Sequence, residues 1–299
     1  MAASPLLYQF KMANVAIKLI VINAAIFILL NLIPSLFGTS FGVTNWLALP
    51  GSFPEYFLQP WSLLTYAFVH SGFWHVLWNM YFLYIFSRFV LNLFSGKRFL
   101  TIYLMGAMAG GLLYLISYSI FPELNARGAS SLVGASAAVN AIIVFIATYT
   151  PNTQLKLFMF NIKLWHIAAF FVLSDIMRVA TSADNTGGFI AHLGGAAFGY
   201  VYAQQMAKGN DIGAWFERLM DTVVSWFSSK PRPKKSRMHT VHRKAKAKTK
   251  AKVDAKPAKA TKSEKQRQID TILDKISKSG YDSLSKAEKD FLFKAGKDD

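Results

Sequence analysis

The chain has 299 residues, 53% of them hydrophobic and only 16% charged, with 33 Lys and Arg against 16 Asp and Glu and no cysteine. A charged share well below the ~25% of soluble domains excludes an ordinary soluble protein, and the missing cysteines exclude disulfides and thiolate metal sites. The net charge of +17 is concentrated, because 14 of the basic residues lie between Lys230 and Lys262 with Asp254 the single acid among them. The remainder is an apolar body with few charges.

In chain order, the first apolar run covers about residues 15–37. It follows polar residues and Lys11 and is too long for the core of a cleaved signal, so it is expected to stay as a signal anchor. Five further runs, near 70–93, 99–121, 131–149, 158–178 and 187–206, are long and apolar enough to cross a bilayer as helices, given about 20 residues per crossing. The loop of roughly 38–69 between the first two runs is rich in Trp, Phe, Leu and Pro, and its one charge is Glu55. Such a loop is expected in or on the membrane interface.

Basic residues orient the bundle. Lys11, Lys18, Arg88, Lys97, Arg98, Lys156 and the basic tail share one side, and the other side has little beyond Arg127 and Arg178. By the positive-inside rule, a multi-pass protein with both termini cytoplasmic is expected, in a bacterial inner membrane.

Residues 207–228 follow the last run as a juxtamembrane segment. Within it, Ile212, Trp215, Phe216, Leu219, Met220, Val223, Trp226 and Phe227 share one helical face, as in a helix lying along a membrane surface. Residues 229–262 are Lys/Ala-rich and are expected to be disordered. This tract reads first as a solvated linker, next as a partner for anionic lipid headgroups, and third as a nucleic-acid binder. Residues 263–299 are expected to form a helical hairpin in need of an unidentified partner. Its first helix covers about 264–278 and stops at Gly280, and its second opens with Ser285 and Glu288, the spacing of a capping box.

Four polar residues stand out within the apolar runs. His75 and Asn79 lie four apart in the second, Ser136 in the fourth and His192 in the sixth. With the orientation above, all enter from one side, and Ser136 lies roughly 7–8 Å along its span at 1.5 Å per residue. Polar groups at one depth of a bundle face its interior or a water-filled cavity. Small residues recur beside them: Gly187, Ala191, Gly195 and Gly199 every four positions, and Gly134 with Ala138. This spacing lets helix backbones approach closely, although it also occurs in plain packing. Each residue has a plainer reading alone: a Ser bonded to a carbonyl one turn back, an interfacial His, an Asn joining two helices. His166 reads as an interfacial anchor, Asp175 and Arg178 as a local ion pair, and His70 fits a supporting hydrogen bond as well as no role.

Taken together, Gly134-Ala135-Ser136, Gly187-x-x-x-Ala191-His192-x-x-Gly195-x-x-x-Gly199 and His75-x-x-x-Asn79 resemble the rhomboid intramembrane serine proteases, over about residues 15–206. The resemblance implies an all-α, polytopic bundle of six transmembrane helices within residues 1–206, acting on single-span membrane proteins without metal or cofactor. It implies a Ser–His dyad with no third acid. Ser136 would be the nucleophile and His192 the base, with His75, Asn79 and the Ser136 backbone N–H stabilising the oxyanion. Three positions depart from the family pattern: Ala137 replaces a glycine, Asn140 a tyrosine that stacks on the base, and Ser62 the arginine after Trp61. A non-catalytic rhomboid-like protein that holds membrane helices is the alternative. A transporter fits poorly, since the polar groups cluster at one end and no inverted repeat is visible. Neither His-Glu-x-x-His nor an intramembrane aspartate pair is present.

Overall fold

The computed structural model describes residues 5–39, 42–121, 123–124, 131–157, 159–181, 185–226 and 264–295. Arg127, Phe227 and the Lys/Ala tract 229–262 lie outside them. Two compact units are present, Met1–Arg232 and Pro233–Asp299.

In the first unit, α1 covers Pro5–Met12 and α2 covers Val15–Phe27, capped by Asn14 Oδ1, which accepts from the Ile17 N–H at 3.0 Å. α2 continues through a π turn at Ile28–Leu32 into α3, Ile33–Leu36. The wider turn accommodates Pro34, whose ring and missing N–H a regular helix interior does not tolerate. The long loop folds into three short helices, α4 Val43–Leu47, α5 Phe53–Leu58 and α6 Ser62–Thr65. Its aromatic surface is open, with Trp46, Phe57 and Trp61 all exposed, as suits side chains at a membrane interface.

The long helices follow: α7 Phe73–Leu93, α8 Gly96–Ile120, α9 Ser136–Tyr149, α10 Leu164–Thr181 and α11 Thr186–Ala207. By length and hydropathy, four helices among the described residues are able to cross a membrane: Val15–Leu36, α7, α8 and α10. α9 is apolar but has only 14 residues, about 21 Å at 1.5 Å per residue, which is short of a ~30 Å hydrocarbon core. It is the buried centre of the bundle, packed most extensively on α11 and then on α8. α11 has the length, 22 residues, but its glycines and glutamines dilute its hydropathy.

Two sequence expectations are corrected here. The fourth run does not start as a helix at 131. Gly134 adopts φ +122° and the helix starts at Ser136, so the preceding residues lie outside the helix, with Leu132 bridged to Leu49. The fifth run does not start as a helix at 158. Residues Gln154–Leu157 (β1) and Phe160–Lys163 (β2) form an antiparallel pair, Lys156 opposite Asn161. Polar and apolar residues alternate along both strands, the period of a half-exposed ribbon.

After α11, the amphipathic stretch forms α12, Ala214–Trp226, with Phe216 buried. Arg98 at the start of α8 holds it, reaching Glu217 Oε1 at 2.6 Å and Asp211 Oδ2 at 2.5 Å. Tyr202 donates to Asp211 Oδ1 at 2.9 Å.

The second unit contains α13 Glu264–Ser279 and α14 Lys286–Ala295. The capping box forms: Glu288 Oε2 accepts from the Ser285 N–H at 2.7 Å, and Ser285 Oγ accepts from the Glu288 N–H at 3.4 Å. Lys275 reaches across from α13 to both Glu288 oxygens at 2.9 Å. The Ser285 N–H and then Lys275 hold the Glu288 carboxyl down at about 2, against an ordinary 4.5. A carboxyl depressed by folding stabilises the fold above its unfolded pKa and loses that contribution as pH falls through the folded one. Protection of the hairpin amides, measured by hydrogen exchange on the whole protein, should therefore fall between about pH 4.5 and about 2. Glu288→Gln should flatten that dependence, and an unchanged profile would remove Glu288 as the cause.

Candidate active site

Ser136 is the first residue of α9, and the turn before it explains why. Gly134 has φ +122°, a conformation closed to residues with a Cβ. A Cβ there would also stand 2.6 Å from His75 Nε2. The residues before α9 are clamped to the long loop. Leu132 and Leu49 exchange backbone hydrogen bonds of 2.8 and 3.0 Å, and the Gly134 N–H donates to Tyr66 O at 2.9 Å. The Ala135 N–H donates to His70 Nε2 at 3.4 Å, so His70 has the supporting role and not none. The loop is held without the family's arginine. Trp61 Nε1 donates to Trp46 O at 2.8 Å, Thr65 Oγ1 to Leu47 O at 2.8 Å, and Tyr66 OH to Ala107 O at 2.6 Å. Ser62 is fully buried beneath it.

Ser136, His192, His75 and Asn79 line one cavity of about 770 Å³. Its walls come from the N-terminal turns of α7, α9 and α11 and from α10, whose Phe170, Phe171, Ser174, Asp175 and Arg178 face it. The fold thus brings the four polar residues, from three separate helices, to one cavity. Ser136 and His192 share the cavity without a direct hydrogen bond, and catalytic hydrogen bonds often tighten only around substrate. As the first turn of a helix, Ser136 and its neighbours carry N–H groups without intrahelical acceptors and lie at the positive end of the helix dipole.

Just before α7, Ser71 Oγ lies 3.0 Å from His75 Nδ1. A hydroxyl proton given to Nδ1 leaves Nε2–H as the donor on the Gly134 side, which is the tautomer an oxyanion needs. Asn79 gives one amide proton to its own helix, at His75 O, 2.9 Å, and has a second in reserve.

The small-residue stripe does what its spacing suggested. A Cβ on Gly195 would stand 2.0 Å from Ala137 O, and one on Gly199 2.2 Å from Ala141 O. The backbones of α9 and α11 therefore touch one turn below the site. Gly187 makes room for the Tyr114 ring, and Ala191 presents its carbonyl to Gly110. Ala137, the residue standing for a glycine, points its methyl at Gly110 of α8, where a second Cβ would lie at 2.5 Å. The extra carbon is thus absorbed by a glycine on the neighbouring helix.

Three features were not foreseen. His192 Nδ1 lies 3.1 Å from Asp175 Oδ1, and Asp175 is buried. The expected Asp175–Arg178 ion pair is absent among the described residues. Arg178 instead lies over the Phe189 ring, 5.3 Å from its centroid. Phe189 in turn meets the His192 ring edge to face at 5.9 Å, contact that the family pattern assigns to the residue at Asn140. Asn140 gives its amide to Ser136 O at 3.2 Å.

Residues 58–208 match the Rhomboid domain family, and residues 251–294 match a family of unknown function, DUF6576. The chain is 29% identical over 206 residues to RHOMBOID-like protein 12, mitochondrial, of Arabidopsis thaliana, covering 66% of this chain and 59% of that one. It is 27% identical over 175 residues to Rhomboid protein 1, mitochondrial, of Saccharomyces cerevisiae, covering 58% and 49%. It is 29% identical over 144 residues to the human presenilin-associated rhomboid-like protein, mitochondrial, covering 47% and 36%. The chain thus spans between 36% and 59% of the length of these curated relatives. Their names overturn the expected bacterial inner membrane, and with it the cytoplasmic assignment of the termini, because all three carry a mitochondrial designation. The multi-pass character stands on the four long apolar helices.

Proposed function

The chain belongs to the rhomboid family, and on that premise we propose that it is an intramembrane serine endopeptidase. It would cleave single-span membrane proteins near the membrane face at which α7, α9 and α11 begin, with α9 and α11 completing a six-helix bundle. The observation that carries this reading is the shared cavity. A hydroxyl at a helix N-terminus and an imidazole on the tightly packed neighbouring helix line it together, and two polar side chains of α7 line it with them.

Ser136 Oγ attacks the scissile carbonyl carbon and His192 takes its proton. The negative charge developing on the carbonyl oxygen meets the Ser136 N–H, His75 Nε2–H and the Asn79 amide. Each such preorganised donor is worth on the order of 10²–10³ in rate. Water entering the cavity later releases the acyl group. A substrate must enter extended, since a stable helix hides its backbone, so segments already poor in helix propensity and with small residues at the scissile bond should be preferred. The designation of the relatives favours a mitochondrial membrane. The basic tract is assigned to anionic lipid before nucleic acid, and the partner of the hairpin is a separate question.

The test is cleavage of a single-span reporter protein by the purified full-length chain in detergent, with fluorophosphonate labelling. Cleavage within a few residues of the membrane boundary and covalent labelling at Ser136 are expected. A folded protein that neither cleaves nor labels would leave the helix-binding reading in its place.

A further inference from the structure

The proposed dyad has a neighbour that the rhomboid resemblance does not call for. Asp175 lies on α10, inside a membrane-spanning helix, and only 7% of its surface is exposed. A carboxylate so placed is costly unless it is paired. Its one partner among the described residues is His192, with Oδ1 3.1 Å from Nδ1. Arg178, one turn further along, does not neutralise Asp175, because its guanidinium lies over the Phe189 ring. Phe189 is set edge to face against the same imidazole. The ring of His192 is therefore held by a carboxylate at Nδ1 and by an aromatic side chain, while the cavity wall is shared with Ser136.

We infer that Asp175 is a positioning residue for the reaction, so that the site works as a Ser–His–Asp arrangement spread over α9, α11 and α10. This rests on the proposed protease activity. Asp175 accepts the Nδ1–H, which selects the tautomer with a lone pair on Nε2 facing the cavity. As the bond from Ser136 Oγ to the carbonyl carbon forms, the hydroxyl proton passes to Nε2, and the carbonyl π electrons move to the oxyanion. Asp175 stays ionised beside the imidazolium. When the C–N bond breaks, the Nε2 proton goes to the leaving amine. Without the carboxylate, both tautomers become accessible and the imidazolium loses its counter-charge. In soluble serine proteases the corresponding Asp→Asn change keeps the geometry and costs on the order of 10⁴ in kcat.

The experiment uses full-length protein in detergent, as wild type, Asp175→Asn and Asp175→Glu. Cleavage of the single-span reporter and the rate of fluorophosphonate labelling are followed. ¹⁵N spectra of histidine-labelled protein are recorded beside them, with the His192 signals identified by their loss in His192→Ala. Asp175→Asn is expected to lower kcat and the labelling rate by about 10²-fold or more, with KM within about twofold and an unchanged unfolding temperature. Asp175→Glu should recover part of the loss. In wild type, His192 should carry its proton on Nδ1. Unchanged kcat in Asp175→Asn overturns the inference, and so does a loss confined to KM or to the unfolding temperature. An Nε2–H tautomer in wild type overturns it too, even if the variants do not fold. A wild type that neither cleaves nor labels counts against the protease reading alone, because the tautomer can still be read.

Discussion

Ser136→Ala and His192→Ala are each expected to bring cleavage of a single-span substrate down to background, a loss on the order of 10³-fold or more, with the double variant no slower than either single one. The reason is that in the proposed reaction the two groups act in one event. Oγ is a poor nucleophile until Nε2 accepts its proton, and Nε2 has nothing to activate once Oγ is gone. In soluble serine proteases, removing either partner costs about as much as removing both. What survives is binding and the oxyanion donors, which the proposed reaction assigns to other groups: His75 and Asn79, which line the cavity from α7, and the first N–H groups of α9. Ser136→Ala should keep the fold and its unfolding temperature, and His192→Ala should fold with a lowered one because buried Asp175 loses its partner; neither side chain closes the α9–α11 contact, which Gly195 and Gly199 make with backbone carbonyls. Mass spectrometry of the products and unfolding temperatures check both halves. Normal cleavage by Ser136→Ala would sink the assignment of the nucleophile. Losses that multiply in the double variant would show that the two residues act separately.

How far the sequence revealed the site depends on the range over which each cause acts. His75 and Asn79 were legible because four residues is one helical turn, and a pair of polar side chains on one face of an apolar run requires a wet interior. The stripe from Gly187 to Gly199 was legible for the same reason. The start of α9 was not. Hydropathy treats residues 131–149 as one segment, whereas the break at Gly134 is imposed by the His75 ring and by a hydrogen bond to Tyr66 O, partners more than fifty residues away. The β1–β2 ribbon was visible as alternation, but a window wide enough to find a span averages it out.

Asp175 is the instructive miss. A carboxylate inside a span is a functional candidate in its own right. The arginine three residues later supplied a local explanation that the fold does not use, since Phe189 takes Arg178 and His192 takes Asp175. Helical spacing lists who is able to meet along one helix. Only the packing of α10 against α11 decides whether a partner on the next helix is nearer. The membrane in which the chain resides is similarly unreadable from basic residues, which give a sidedness and not an organelle.

The second large effect concerns the contact that sets the spacing of the site. Gly195 lies three residues after His192, and Ala137 follows Ser136. A Cβ on Gly195 would stand 2.0 Å from Ala137 O and 2.8 Å from Ala137 C. Both obstacles are backbone, so no rotamer relieves them, and α9 and α11 have to move apart by an ångström or so. Overpacking of this kind costs about 1–3 kcal/mol, and a misplacement of about 1 Å between reacting groups costs on the order of 10² in rate. Gly195→Ala should therefore lose cleavage about 10²-fold while still folding, with a lowered unfolding temperature, and Gly195→Val should not fold stably. Ala197→Val, on the exposed face of the same helix, should stay within about 0.5 kcal/mol of wild type and keep its rate. Because the change leaves Ser136, His192 and Asp175 chemically intact, the rate loss in Gly195→Ala isolates geometry from composition. If Gly195→Ala cleaves at the wild-type rate with wild-type stability, the distance from Ser136 to His192 is not set by this crossing, and the stripe from Gly187 to Gly199 is packing alone.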